Sequence, residues 1–300
     1  GQLGGQLDAE EFKLYELIWQ RTVASQMADA KGTSMKVFVA GESTDGRDCV
    51  FTATGRTITF PGFLRDRARR HAGEVAVVGG DIRWTYAQLW QEVERIAAGF
   101  LAQGLVPGDR VIVQLGNIPE FIAVACALFR AQLVPVYALP AHRLTEVAHF
   151  ARKAEASAYV CAERYEAFDY RTLARDLQAD VPAVRQVFVV GDAAEFVAVA
   201  SLDGPRDALP GDADPQSVAF LQISGGSTGL SKLIPRTHDD YIYSFRASNA
   251  LCGIGRDSVY MVALPAAHNF PMSSPGFFGA LYAGARVVLS PGPGPDAAFP

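Results

Sequence analysis

From Phe63 onward, short apolar segments alternate with longer amphipathic ones. The apolar segments are rich in Val and Ile and read as strands: "EVAVVGG", "DRVIVQL", "LVPVYAL", "SAYVCA", "RQVFVVG" and "VAFLQIS". Between them lie helical patterns such as "TYAQLWQEVERIAAGFLAQG", for which Thr85 is a suitable N-cap. Such alternation predicts an α/β fold, in which helices cover both faces of parallel sheets.

Residues 1–62 follow a different pattern. Asp8 and Glu11 have capping-box spacing, and a helical stripe then runs to Lys31. The segments "SMKVFVAG", "RDCVFTATG" and "RTITFPG" read as three short strands. We therefore predict two parts: a small helix plus β-meander over 1–62, and an α/β part over 63–300.

Composition and charge exclude several classes of protein. The formal net charge of −5 argues against an extended nucleic-acid-binding face, and the apolar run "FIAVACALF" is too short to span a bilayer. The N-terminus lacks the pattern of a signal peptide. Cysteines 49, 126, 161 and 252 are scattered, without metal-ligand spacing, which predicts reduced, mostly buried thiols, no metal site and a cytoplasmic location.

The stretch "SGGSTGLSKLIPRTH" follows the strand "VAFLQI" and is dense in glycines and hydroxyls around a single lysine. It is not a Walker A loop, because Gly229 is not followed by Lys-Ser/Thr. Glycines allow close backbone approach, while hydroxyls and an ammonium bind phosphate oxygens. This composition favours a cradle for a polyphosphate arriving with Mg²⁺ over a surface turn of small residues. The candidate ligands are Ser224, Gly225, Gly226, Ser227, Thr228, Gly229 and Lys232.

The same loop also matches G-x-S-x-G, the nucleophile elbow of α/β-hydrolases. Ser227, Asp257 and His268 even occur in the chain order of such a triad. An elbow needs a helix directly after the serine, whereas "LSKLIP" reads as extended and predicts that the helix starts at Thr237 or His238. A serine hydrolase remains one alternative, and a non-catalytic fragment or a DNA-binding fragment are two others.

Several motifs together resemble the adenylate-forming enzymes. "FLQISGGSTGLSKLIPRTH" is similar to their phosphate-binding loop, and "RWTYAQL" and "FRAQLVPVYALP" are similar to their earlier motifs. "LPAAHNFPMSSPG" resembles their substrate motif in the form found in the 2,3-dihydroxybenzoate or salicylate AMP ligases of siderophore biosynthesis. The resemblance runs from about Gly62 to Pro300.

This resemblance implies that a carboxylate attacks the α-phosphate of ATP in the presence of Mg²⁺, and that the aryl group then passes to an aryl carrier protein. It assigns Ser227, Thr228 and Lys232 to the β- and γ-phosphates, and places His268 near the carboxylate and the α-phosphate. Asn269 and Ser274 would line the aryl pocket, with Phe270 as its wall. Three of these have structural alternatives, because Asn269 could serve loop backbone, Ser274 could cap a helix, and a histidine taken alone is more often structural than catalytic, which applies to His268.

The sequence ends before the later motifs of that family, including the adenine- and ribose-binding residues and the C-terminal lid with its lysine. We therefore expect an inactive or severely impaired ligase.

Residues 1–64 resemble bacterial DNA topoisomerase I at "LYELIWQRTVASQMADA", which predicts a chimera joined within "TFPGFLRD". With 6 Lys/Arg against 8 Asp/Glu over residues 1–62 and no tyrosine nucleophile motif, we expect no DNA cleavage and no DNA binding.

Overall fold

The computed structural model describes residues 36–42, 48–54, 62–224 and 231–294. The chain divides into two compact units, Gly1–Arg56 and Thr57–Pro300. In the first unit, β1 (Lys36–Glu42) pairs antiparallel with β2 (Asp48–Thr54), which confirms two of the three predicted strands. The helix predicted near the N-terminus and the third strand lie outside the described residues.

The second unit alternates helices and strands as the sequence predicts. Its helices are α1 (Gly62–Arg70), α2 (Tyr86–Ala102), α3 (Pro119–Arg130), α4 (Leu144–Ala154), α5 (Tyr170–Asp180), α6 (His238–Cys252), α7 (Asn269–Ser273) and α8 (Gly276–Ala283). Its strands are β3 (Val75–Gly79), β4 (Ile82–Thr85), β5 (Arg110–Gln114), β6 (Val134–Tyr137), β7 (Ala158–Ala162), β8 (Arg164–Tyr165), β9 (Phe168–Asp169), β10 (Gln186–Val190), β11 (Val197–Ala198), β12 (Val218–Ile223), β13 (Leu233–Thr237), β14 (Val259–Val262) and β15 (Arg286–Leu289).

Two sheets organise this unit. The larger has seven strands in the order β11-β10-β7-β5-β6-β12-β13, and all neighbours are parallel except β12 and β13. The smaller has four strands in the order β14-β15-β3-β4, and its β3–β4 pair is antiparallel. The mixed α/β fold with mainly parallel sheets is therefore confirmed.

Alternate residues of the central strand β5 pack into two separate hydrophobic cores. Val111 and Val113 of β5 belong to the larger buried cluster, while Ile112 between them belongs to the other. Because successive side chains of a strand point to opposite faces, the seven-stranded sheet is buried on both sides. Helix α3 lies deepest, and all residues from Phe121 to Phe129 are buried.

Helix ends follow local chemistry. The Thr85 hydroxyl accepts a 3.2 Å hydrogen bond from the backbone amide of Gln88, whose side chain accepts one of 2.9 Å from the Thr85 amide. This capping box satisfies two backbone donors at the start of α2 and confirms Thr85 as the N-cap. Pro119 occupies the first turn of α3, where its missing N–H costs nothing.

The thiols are not uniformly buried. Cys126 and Cys161 are buried, as expected, but Cys252 is exposed. It is the last residue of α6, directly before Gly253, whose φ of 65° ends the helix in solvent. Cys49 lies where the structure describes backbone alone. None of the described helices is long and apolar enough to cross a membrane.

Candidate functional site

The parallel strands β5, β6, β7 and β12 end at the same edge of the large sheet. In open α/β sheets this carboxyl edge is where ligands bind. The Gly/Ser-rich loop begins there, because Ser224 directly follows the last residue of β12, Ile223.

Two hydrogen bonds close the base of this loop. The backbone amide of Ser224 donates to the Lys232 carbonyl at 2.9 Å, and the Lys232 amide donates to the Ser224 hydroxyl oxygen at 2.9 Å. Ser224 is half-buried, and Lys232 is exposed. The structure therefore brings these two candidates together, and it uses the Ser224 oxygen as an acceptor in the loop itself.

The second leg of the loop is tied to helix α4. The Ser231 carbonyl lies 3.1 Å from the Nε2 atom of His149. The remaining predicted phosphate ligands, residues 225–229, lie outside the described residues, so their roles stay predictions.

The strands on either side of the loop do not favour the hydrolase alternative. The chain passes from β12 through the loop into β13, an antiparallel strand in which Leu233 pairs with Ile223, and α6 starts only at His238. A nucleophile elbow places its serine on a turn from a strand directly into a helix, whereas the described residues that follow this loop form a strand. Asp257 precedes β14 and His268 follows it, so a strand about 13 Å long separates these two members of the suggested triad. Ser227 itself lies outside the described residues, so the elbow interpretation stays an untested alternative, which the strand containing Pro235 does not favour.

His268 begins the predicted substrate motif and caps helix α7. Its Nδ1 atom accepts a hydrogen bond of 3.3 Å from the backbone amide of Phe270. A neutral imidazole that accepts at Nδ1 carries its proton at Nε2. The exposed ring of His268 can therefore present an N–H donor at Nε2.

Asn269 is half-buried and contacts other side chains rather than loop backbone. Its Oδ1 atom accepts from the Tyr241 hydroxyl at 3.2 Å and from the Ser273 hydroxyl at 3.4 Å. Phe270 is 54% exposed, and its role as a pocket wall stays a prediction. Ser274 does not cap α8, whose N-cap is Pro275; it is the C-cap of α7, and its amide donates to the Phe270 carbonyl at 3.1 Å.

Arg236, on strand β13 of the loop hairpin, connects this hairpin to helix α6. Its Nη1 atom donates to the Gln222 side chain at 2.8 Å, and its guanidinium pairs with Asp240. The same guanidinium lies 5.3 Å from the ring centroid of Tyr241. Tyr241 thus contacts both the hairpin and Asn269. An aromatic residue within a helical pattern usually indicates packing, so the contact of Tyr241 with Asn269 was not predicted from the sequence.

Asn117 is a second residue that the sequence analysis missed. It is buried after β5, and its Nδ2 atom donates to the carbonyls of Val262 (3.3 Å), Leu264 (3.0 Å) and Ser290 (3.0 Å). Its Oδ1 atom accepts from the Ala266 amide at 2.7 Å. This one side chain anchors the segment that leads to His268. A polar residue between a buried strand and a helix-starting proline is the signal that could have revealed it.

Within the described part of the chain, no cluster of three or more His, Cys, Asp or Glu side chains could hold a metal ion.

Comparison with known families agrees with this geometry. The family model described as AMP-binding enzyme matches residues 64–299. The chain belongs to the AMP-binding enzyme family. Within this family it is 51% identical over 242 residues to the 2,3-dihydroxybenzoate-AMP ligase of Bacillus subtilis, with 81% of this chain and 45% of the relative covered. It is 45% identical over 254 residues to the salicyl-AMP ligase / salicyl-S-ArCP synthetase of Mycobacterium tuberculosis, with 82% and 44% covered.

A solved structure is also similar. The apo structure of Mycobacterium smegmatis MbtA superposes with a TM-score of 0.76 at 47% identity, covering 81% of this chain and 46% of the other. The chain thus spans somewhat less than half the length of these relatives.

Proposed function

We propose that this chain supplies the nucleotide- and acid-binding part of an ATP-dependent aryl-acid AMP ligase acting in siderophore assembly. The substrate is salicylate or 2,3-dihydroxybenzoate, and the aryl group passes on to an aryl carrier protein. The observation that carries the proposal is the closed hairpin between Ser224 and Lys232 at the carboxyl edge of the large sheet, linked through Arg236 and Tyr241 to Asn269.

The residues present fit a polyphosphate. Lys232 offers an exposed ammonium at the mouth of the loop, and the glycines and hydroxyls of residues 225–229 can bring backbone and side-chain donors to phosphate oxygens. Mg²⁺, when bound with ATP, would neutralise phosphate charge. Lys232 would offset the charge that builds up on departing pyrophosphate.

The reaction needs positioning rather than covalent help from the protein. A carboxylate oxygen of the acid forms a bond to the α-phosphorus of ATP, and the bond from that phosphorus to the pyrophosphate oxygen breaks. The Nε2–H donor of His268 would stabilise negative charge on the carboxylate or the α-phosphate. Asn269 and Ser274 would hold the aryl acid, and Phe270 would form a wall of its pocket.

Binding, not turnover, is the measurement that tests this proposal, because the chain spans 45% of its Bacillus relative. Ligands that bind the folded state alone raise its unfolding midpoint. We expect Mg·ATP and either acid to raise the midpoint of the wild-type chain. Lys232→Ala should weaken nucleotide binding roughly 10- to 100-fold, since a charge-assisted hydrogen bond is lost, and should leave acid binding unchanged.

Asn269→Ala should weaken acid binding alone. Lys153→Ala is the matched control, because Lys153 is an exposed lysine on α4. Equal loss of both ligands in Lys232→Ala and Asn269→Ala would contradict the residue roles. A wild-type midpoint that no ligand raises would contradict the proposed function.

We also propose that residues 1–62 have a separate origin, as a topoisomerase I arch fragment, and that the ligase part starts near residue 63. In support, the family match starts at residue 64, and the two compact units divide after Arg56. Proteolysis of the full chain should release a core beginning near residues 57–64 that keeps its ligand response. Loss of that response on cleavage there would contradict the division.

A further inference from the structure

Tyr241 is a buried tyrosine whose hydroxyl reaches the predicted acid site. Its ring packs edge-on against Phe220, with 4.5 Å between ring centroids, and is fully shielded from solvent. Burial raises the pKa of Tyr241 well above its ordinary value, so the phenol stays protonated and can donate. Its hydroxyl donates to Asn269 Oδ1 at 3.2 Å.

The ring of Tyr241 is held from the loop hairpin. The Arg236 guanidinium lies 5.3 Å from its centroid, and Gln222 of β12 accepts a 2.8 Å hydrogen bond from Arg236. Strands β12 and β13 therefore fix the position from which Tyr241 donates to Asn269.

The amide of Asn269 has a defined orientation. The Tyr241 hydroxyl donates to its oxygen at 3.2 Å, and the Ser273 hydroxyl lies 3.4 Å from the same oxygen and equally close to the Asn269 backbone carbonyl. An amide oxygen has two lone pairs, and the nitrogen carries two N–H donors. With the oxygen engaged by Tyr241, the two N–H donors on Nδ2 are available for an acceptor on a ligand.

We propose that Tyr241 is a positioning residue that orients the Asn269 amide so that Nδ2 donates to an acceptor oxygen on the aromatic acid. This inference rests on the proposed function and deepens it. The proposed substrates salicylate and 2,3-dihydroxybenzoate share a ring oxygen ortho to the carboxylate, and this oxygen is the acceptor with which the orientation can be tested.

The test compares the wild-type chain with Tyr241→Phe, which removes the phenol oxygen and keeps the ring that packs on Phe220. Salicylate and benzoate differ by one ring oxygen, so we would titrate both by calorimetry. We expect the affinity for salicylate to fall about three- to tenfold in Tyr241→Phe, as for one lost hydrogen bond, with benzoate and Mg·ATP affinities unchanged. Ser273→Ala removes the second donor and should act in the same direction.

Tyr243→Phe is the matched control, because Tyr243 lies on the same helix but is 72% exposed. In a double-mutant cycle, Tyr241→Phe should have no further effect once Asn269 is Ala, because it acts through that amide. Equal changes for salicylate and benzoate, or additive effects in the cycle, would overturn the inference alone. If the wild-type chain binds neither acid, the proposed function fails, and this inference fails with it.

Discussion

The side-chain oxygen of Asn117 accepts a 2.7 Å hydrogen bond from the backbone amide of Ala266, 149 positions further along the chain. The same side chain donates to three backbone carbonyls, from Val262, Leu264 and Ser290. One buried amide thereby joins the end of β5 to the ends of β14 and β15 and fixes the segment that leads to His268.

Substituting Asn117 should destabilise the fold in a graded order. Asn117→Ala removes the donor to the Leu264 and Ser290 carbonyls and the acceptor of the Ala266 amide, at a cost of about 2–3 kcal/mol. Asn117→Asp should cost more, because a carboxylate would face those carbonyls without donors to offer them. Urea unfolding of the three proteins measures both values. A wild-type stability in Asn117→Asp would contradict the proposed role of this amide.

Gly276 tolerates no side chain. Its φ is 66°, and a Cβ atom there would lie 2.6 Å from the Pro271 carbonyl oxygen. Gly276→Ala should therefore lower the free energy of unfolding by at least about 2 kcal/mol, through left-handed strain and this clash. Gly73→Ala is the control, because a Cβ at Gly73 meets no atom within 4 Å. Equal unfolding midpoints for the two variants would contradict this prediction.

His238 should make stability depend on pH. Burial at the start of α6 lowers its pKa to about 4 from its ordinary 6.5, with Asp214 opposing the shift. The unfolded chain therefore binds the proton first, so this contribution to stability is complete above pH 6.5 and is lost as pH falls towards 4. The full loss is roughly 3 kcal/mol.

Urea unfolding at several pH values between 7.5 and 4 measures this dependence. The variant His238→Gln lacks the titrating ring, so its stability should fall less steeply over the same interval. Parallel losses in wild type and variant would show that other groups dominate the acid sensitivity.

The three described thiols should differ in reactivity. Burial raises the pKa of both Cys126 and Cys161 to about 12, and thiolate is the reactive form, whereas Cys252 is exposed. Iodoacetamide should label Cys252 in the native chain, and Cys126 and Cys161 only after unfolding. Peptide mass spectrometry distinguishes the sites, and Cys252→Ser should remove the fast label among these three. Rapid native labelling of Cys126 or Cys161 would contradict their burial.

The sequence alone determined most of the helices and strands between residues 63 and 223, and also the start of α6. Strand and helix periodicity, the Thr85 cap and the position of Pro235 all act between near neighbours, so they could be read directly. That local chemistry also showed why the loop after β12 leads into a strand rather than a hydrolase helix.

Tertiary structure decided the strand order and the partners of the site residues. Tyr241 bonds to Asn269, 28 positions away in the sequence, and Asn117 bonds to Ala266, 149 positions away. Neither separation matches the repeat of a helix or a strand, so periodicity does not predict these contacts. Exposure of Cys252 likewise depends on which face of α6 the packing leaves in water. Such contacts form only once the sheets and helices have packed, because burial and long-range hydrogen bonds are properties of the assembled chain and not of its neighbouring residues.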